Sequence, residues 1–301
     1  MVIDMSQNYD AGMYDSVTIK HVGELDLIEI ERPECSASLT LQGGQLISYA
    51  PRGEHPVLWR NPDVAYQKGE AVRQGVPICW PWFAFLERNA DPVRNSFPIQ
   101  EAPAHGVARN ALWRLLSITE EETSTAIAFE LNAEPLGLKA VVTYRLGAVM
   151  KMELESFNLS DQPKHLSCAL HTYFAVSDIQ QVSVLDLDDL PYIDSLRGWS
   201  LHKQDGPLHI AEEVDRIYYD TPAILRIHDK KWERFIVLES SESRSAVVWN
   251  PWIEKSKRLS QFSPDSYKHM LCVETGKLLN DYIELEPGQS YTLDLTLSSR
   301  R

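Results

Sequence analysis

Apolar and polar positions alternate with a period of two along most of the chain, the pattern of strands with one buried face. Segments 25–30 and 35–42 alternate this way, and the second runs into a Gly43-Gly44 turn. Segments 125–131, 138–146 and 150–157 follow one another as a meander, with Pro135, Gly137 and Gly147 at the connections. Further strands are expected at 163–174, 181–187, 235–238, 246–249, 270–273 and 291–297. Long amphipathic helical windows are scarce. The pattern therefore predicts a mainly β protein, a sandwich or barrel with few helices. Stretches 87–104, with Pro92, Pro98 and Pro103, and 251–266, with Lys255, Lys257 and Arg258, are expected as long loops. Loops of this kind on a rigid scaffold often shape binding sites. No Pro/Gly/Ser-rich linker divides the chain. Residues 21–301 are read as one domain after a polar leader at 1–20.

Composition narrows the class. Hydrophobic residues at 44% and charged residues at 24% of 301 positions fit a soluble globular protein. The formal charge of −14 argues against nucleic acid and against anionic membranes as partners, since both need a basic surface. No apolar run approaches the roughly 18 residues of a membrane span, and residues 1–14 lack the apolar core of a secretory signal. Cys35, Cys79, Cys168 and Cys272 are widely spaced with no CxxC pair. They read as buried reduced thiols of a cytoplasmic protein rather than a disulfide frame or zinc site. No nucleotide loop, HExxH or GxSxG motif is present. The acidic run Asp186 to Asp189 lacks the turn glycine of a calcium loop and reads as a solvated turn.

Several residues carry possible chemistry. In a strand through 166–174, Leu166, Cys168, Leu170 and Phe174 share a core-like face. Ser167, Ala169, His171 and Tyr173 share the other, which suits a groove wall, although His171 alone also fits a satisfied core histidine. Glu274 ends the apolar run Met270-Leu271-Cys272-Val273. A carboxylate there either reaches water or is desolvated, and desolvation raises its pKa toward the range of a general base. Arg73 and Arg109 each lie near a glycine, in Arg73-Gln74-Gly75 and His105-Gly106-Val107-Ala108-Arg109. Glycine there would allow close approach of a ligand, and an arginine can grip phosphate or carboxylate. Asp215 could bond sugar hydroxyls or pair with Arg216. The aromatic run Trp80-Pro81-Trp82-Phe83 could face a sugar ring or fill the core.

In combination these elements are more specific. Arg73-x-Gly-Val-Pro, Cys79-Trp-Pro-Trp-Phe, His105-Gly-Val-Ala-Arg, Leu170-His-Thr-Tyr-Phe, Asp215-Arg-Ile-Tyr, Val248-Trp-Asn-Pro-Trp and Cys272-Val-Glu occur in that order. The series resembles the hexose-6-phosphate mutarotases, or glucose-6-phosphate 1-epimerases, of the aldose 1-epimerase superfamily, over about 25–297. The resemblance implies a galactose mutarotase-like β-supersandwich of antiparallel sheets. It implies that His171 and Glu274 are catalytic, that Arg73 and Arg109 hold substrate and phosphate, that Asp215 contacts sugar hydroxyls and that His105 lies beside them. Gln74, Gly44 and Ala84 depart from the common pattern, and segment 87–104 is longer than in many relatives.

The implied reaction opens the sugar ring. A base takes the C1 hydroxyl proton, an acid protonates the ring oxygen, and rotation about C1–C2 followed by reclosure gives the other anomer. Glu274 as carboxylate and His171 as imidazolium supply the two roles without metal, nucleotide or other cofactor. The alternatives are a non-catalytic sugar-phosphate sensor and a mutarotase for unphosphorylated aldoses. A monomer is expected. The acidic charge excludes polyanions but not one phosphate ester, if Arg73, Arg109 and a lysine of the late loop make a small positive pocket.

Overall fold

The computed structural model describes residues 14–301. Every strand pairing in it is antiparallel. A nine-stranded sheet carries the expected meander, Thr125–Ala133, Leu138–Leu146 and Met150–Asn158, followed by Ser290–Arg300 and Arg234–Glu239. An eight-stranded sheet runs Ser200–Lys203, Pro191–Asp194, Val214–Tyr219, Ser245–Asn250, Met270–Lys277, Cys168–Leu170 and Ile78–Cys79, with Tyr173–Ala175 also on Met270–Lys277. A four-stranded sheet, Val17–Val22 to Gln45–Pro51, and a two-stranded ribbon complete the β structure.

One core binds the large sheets together. Phe129, Val142, Leu154 and Leu295 of the nine-stranded sheet share a buried cluster with Leu170, Val248, Leu271 and Val273 of the eight-stranded sheet. Leu39, Leu46 and Tyr49 of the four-stranded sheet join it. Strand alternation sends the intervening residues of the eight-stranded sheet to its other face. There Ala169, Ile217 and Val247 pack in one small cluster, and Tyr173, Met270 and Cys272 in another. Being covered on both faces explains the continuous apolar run at 270–273.

Several expectations need correction. Strand Val17–Val22 pairs with Leu25–Glu31, so the expected leader at 1–20 gives way to the fold at Val17; residues 1–13 lie outside the described residues. Segments 87–104 and 251–266 are not wholly irregular. They carry the short helices Asp91–Ser96, with Pro92 in its first turn, and Trp252–Ser256. Strands Val214–Tyr219 and Ile224–Asp229 escaped the pattern because the half-buried Asp215 and Arg216 interrupt the first, and an exposed Ile224 and a buried Asp229 blur the second. Arg216, for example, points inward to Gln204 and lies over the Tyr192 ring. All four cysteines are free and buried. Among the described residues no helix is long and apolar enough to cross a membrane, and no group of three or more metal-ligating side chains could hold an ion.

Candidate active site

The register of two central strands makes the site. Leu170 pairs with Thr275, and Tyr173 pairs with Cys272. The same register places His171 directly across from Glu274 on the outer face of the sheet. Facing residues of an antiparallel pair have Cβ atoms roughly 5 Å apart. Accordingly His171 Nε2 lies 3.3 Å from Glu274 Oε1. Glu274 is only 2% exposed and His171 14%. The main-chain N–H groups of His171 and Tyr173 donate to Pro77 and Gly75, so the strand is tied to the segment that follows Arg73.

Electrostatics then set the protonation of this pair. Burial pushes the Glu274 carboxyl well up, with the Asp215 charge adding to the effect. Burial, then the positive field of Arg109 and of Arg73, pushes His171 down to about 3. Both shifts favour neutral groups, with one proton resting on Glu274. His171 Nδ1 is buried without a hydrogen-bond partner. Both shifts work against the expected carboxylate–imidazolium state in the empty site. Glu274 Oε2 is also buried without a partner. An unpaired buried polar atom costs stability, and such atoms gather at functional sites.

Aromatic rings hold the imidazole in place. Tyr173 stacks on His171 at 4.9 Å with planes 13° apart, and Trp249 meets it edge-on at 6.0 Å. His105 lies 5.8 Å away on the other side and packs against Phe83. Its Nδ1 accepts a long hydrogen bond from the Ala84 N–H, which directs its own N–H away from that backbone. Burial and the neighbouring His171, Arg109 and Arg73 keep His105 neutral. Of the aromatic run at 80–83, Trp80 and Trp82 are core residues whose indole N–H groups bond Ser156 and the Pro103 carbonyl. Phe83 alone turns toward the site.

The glycines act differently from the expectation. A Cβ on Gly75 would stand 2.2 Å from the Leu46 carbonyl oxygen, and one on Gly106 would stand 2.0 Å from that of Trp80. Both have positive φ. They allow backbone to approach backbone and thereby fix the arginine-bearing segments. Gln74 is an anchor: its amide accepts from the Asn61 N–H and donates to the Tyr66 hydroxyl. Arg109 is steadied by the Ala104 carbonyl, 3.0 Å from Nη2, at the end of segment 87–104. Neither Arg73 nor Arg109 forms an ion pair among the described residues.

Asp215 completes the group. It lies opposite Trp249 on the next strand, and its charge reaches Glu274. Its partner is not Arg216, which alternation sends to the opposite face, but Lys255, 3.8 Å away. Lys257 instead pairs with Glu254 on its own turn. The structure thus gathers all six expected site residues, His171, Glu274, Arg73, His105, Arg109 and Asp215. It adds Tyr173 and Trp249, which the sequence placed on the right face or in the right motif without assigning a part.

Comparison with known proteins identifies the family. The family model for aldose 1-epimerase matches residues 26–298. The chain belongs to the aldose 1-epimerase family. It is therefore an isomerase, an epimerase acting on an aldose. An Escherichia coli (strain K12) relative, provisionally named a glucose-6-phosphate 1-epimerase, is 34% identical over 264 residues, covering 85% of this chain and 84% of its own. A Salmonella typhimurium (strain LT2) relative with the same provisional name is 33% identical over 264 residues, again covering 85% and 84%. Among solved structures, a Salmonella typhimurium protein provisionally described as a mutarotase superposes with a TM-score of 0.85 at 30% identity, covering 96% of this chain and 95% of that one. A galactose mutarotase-like protein of Clostridium acetobutylicum, 16% identical, shares the fold of this aldose 1-epimerase with a TM-score of 0.76 over 95% of this chain and 98% of that one.

Proposed function

We propose that the protein interconverts the α and β anomers of an aldohexose 6-phosphate, glucose 6-phosphate in the first instance. The observation that carries this reading is the His171–Glu274 contact within the field of two arginines that have no carboxylate partner. An acid–base pair serves ring opening, and two guanidinium groups without carboxylate partners suit one phosphate ester. The relatives named for glucose 6-phosphate support the choice of sugar.

The mechanism follows from one shared proton. In the empty site that proton sits on Glu274. A substrate phosphate on Arg73 and Arg109 cancels part of the field that depresses His171, and the proton moves across the 3.3 Å gap to Nε2. Glu274 then takes the O1 proton while imidazolium protonates O5. The C1–O5 bond breaks to the open-chain aldehyde, and the pair returns to its neutral form. After rotation about C1–C2, Glu274 returns a proton to the carbonyl oxygen as O5 attacks C1 and gives its proton to His171. Asp215 accepts from sugar hydroxyls, His105 donates its free N–H, and the Trp249 face takes the apolar side of the ring.

Saturation-transfer NMR on glucose 6-phosphate and on glucose tests the reading. Glu274→Gln and His171→Asn should each cost about 10²–10⁴-fold. Wild-type rates in both variants would sink it. A pure sensor would bind without accelerating exchange. We further propose that the strands from Val17 onward belong to one domain, and that the protein is a monomer with a cytoplasmic location. The shared core and the four free buried thiols support the first and last of these, and a light-scattering mass tests the second.

A further inference from the structure

Loop 251–266 reaches the site through Lys255. Asn250, fully buried, ties both ends of the loop: its amide donates to the Tyr267 and Met270 carbonyls, and its oxygen accepts from the Trp252 N–H. Trp252 takes a positive φ of 52° at the start of the helix. Farther along, the Gln261 carbonyl accepts from Asn61, whose amide also lies 3.3 Å from the Arg73 carbonyl. The loop therefore spans from the Asp215 side of the site to the Arg73 side.

Between these anchors the Lys255 ammonium sits 3.1 Å from Glu213 Oε1 and 3.8 Å from Asp215 Oδ2, over the Trp249 ring at 5.7 Å. Its charge is occupied by carboxylates, whereas Arg73 and Arg109 are not. We propose that Lys255 is a positioning residue of the reaction, orienting the Asp215 carboxylate and compensating its charge so that Asp215 can accept from the sugar hydroxyls. The proposal rests on the sugar-phosphate reading above. Its need is visible in what surrounds Asp215. Burial and the charges of Glu213 and Asp194 push its carboxyl up, while Lys255 and a side-chain hydrogen bond from Ser195 pull it down. Glu274 and Cys272, both on Met270–Lys277 two strands away, feel the same charge. Asp194 pairs with Arg197 and Arg216, whereas the cation paired with Asp215 is Lys255.

The test is the pH dependence of glucose 6-phosphate anomerisation, read by saturation transfer from pH 5 to 9, for wild type, Lys255→Arg, Lys255→Gln, Lys255→Met, Asp215→Asn and Asp215→Asn/Lys255→Met. Removing an opposite charge at this distance moves a carboxyl by about 1–3 pH units. Lys255→Met and Lys255→Gln should shift the acid limb of kcat/KM upward by at least about one unit, raising KM more than they lower kcat. Lys255→Arg should keep the wild-type limb. On the Asp215→Asn background, Lys255→Met should change nothing further. An equal loss at every pH, a further loss on the Asp215→Asn background, or no effect in any Lys255 variant would overturn the proposal. Glu274→Gln serves as the control for the underlying reading: wild-type rates there bring down the acid–base assignment itself, whatever Lys255 does.

Discussion

His171 and Glu274 face each other across one antiparallel strand pair, 3.3 Å apart, and each keeps one buried side-chain atom without a conventional hydrogen-bond partner. Glu274 lies within its strand and His171 in the two-residue break between two short strands, so the register of the flanking pairs sets their separation. Their environment favours the uncharged form of both, and two consequences can be measured.

The first is thermodynamic. Burial raises the Glu274 carboxyl in the folded state above its unfolded value. Its contribution to stability is complete below the ordinary glutamate range and is lost as pH rises through the raised value. Glu274→Gln removes this liability. The variant should melt higher than wild type by on the order of 1 kcal/mol of stability, one pKa unit being worth about 1.4 kcal/mol. The gain should widen from pH 5 to pH 9 in calorimetric melts. A loss of stability growing with pH would contradict the assignment.

The second concerns rate. With His171 pushed down to about 3, its imidazole does not carry a proton in the free enzyme at neutral pH. The profile of kcat/KM, corrected for the substrate phosphate ionisation near about 6, should lack a histidine limb. It should fall on the alkaline side as Glu274 loses the shared proton. An acid limb at the ordinary histidine value would show that His171 is charged in the empty site.

Arg109→Ala should separate the two substrate classes. Losing a charge-assisted contact is worth about 1.5–3 kcal/mol, or roughly 10–100-fold. The loss should appear in kcat/KM for glucose 6-phosphate and be absent for glucose. The wild-type preference for the phosphorylated sugar should also weaken with added salt. Equal losses on both sugars would move Arg109 from phosphate binding to a structural part.

Much of this was legible in the chain, for identifiable reasons. The meander at 125–157 alternates cleanly because one face of each strand is in the core. The His171 strand revealed its two faces for the same reason, even though regular pairing lapses at 171–172. Val214–Tyr219 was hidden because Asp215 and Arg216 break the alternation, one serving the site and the other an internal polar network. The roles of Gly75 and Gly106 could not be read, since the carbonyls they pass come from residues 46 and 80. The resting proton position was also out of reach, because it depends on burial and on the summed field of two arginines. Asp215 could only be paired with Lys255 once the strand had shown which way Arg216 points.

Asn250 offers a test of the loop that carries Lys255. Replacing it with Ala leaves the Tyr267 and Met270 carbonyls and the Trp252 N–H without their partner. The expected cost is about 2–3 kcal/mol in urea unfolding. KM for glucose 6-phosphate should rise as the loop loses its fixed ends. Unchanged stability and KM would mean that the loop is held by other contacts.

The strand register has a final consequence for how such an enzyme can change. The proposed acid–base pair is set by paired strands that join the core, while Arg73, Arg109 and Lys255 sit on connecting segments. Recognition and chemistry therefore lie on parts of the molecule that can vary separately. Insertions or substitutions in the connecting segments can retune which sugar is accepted, and the proton-transfer distance stays as constant as the spacing between two strands.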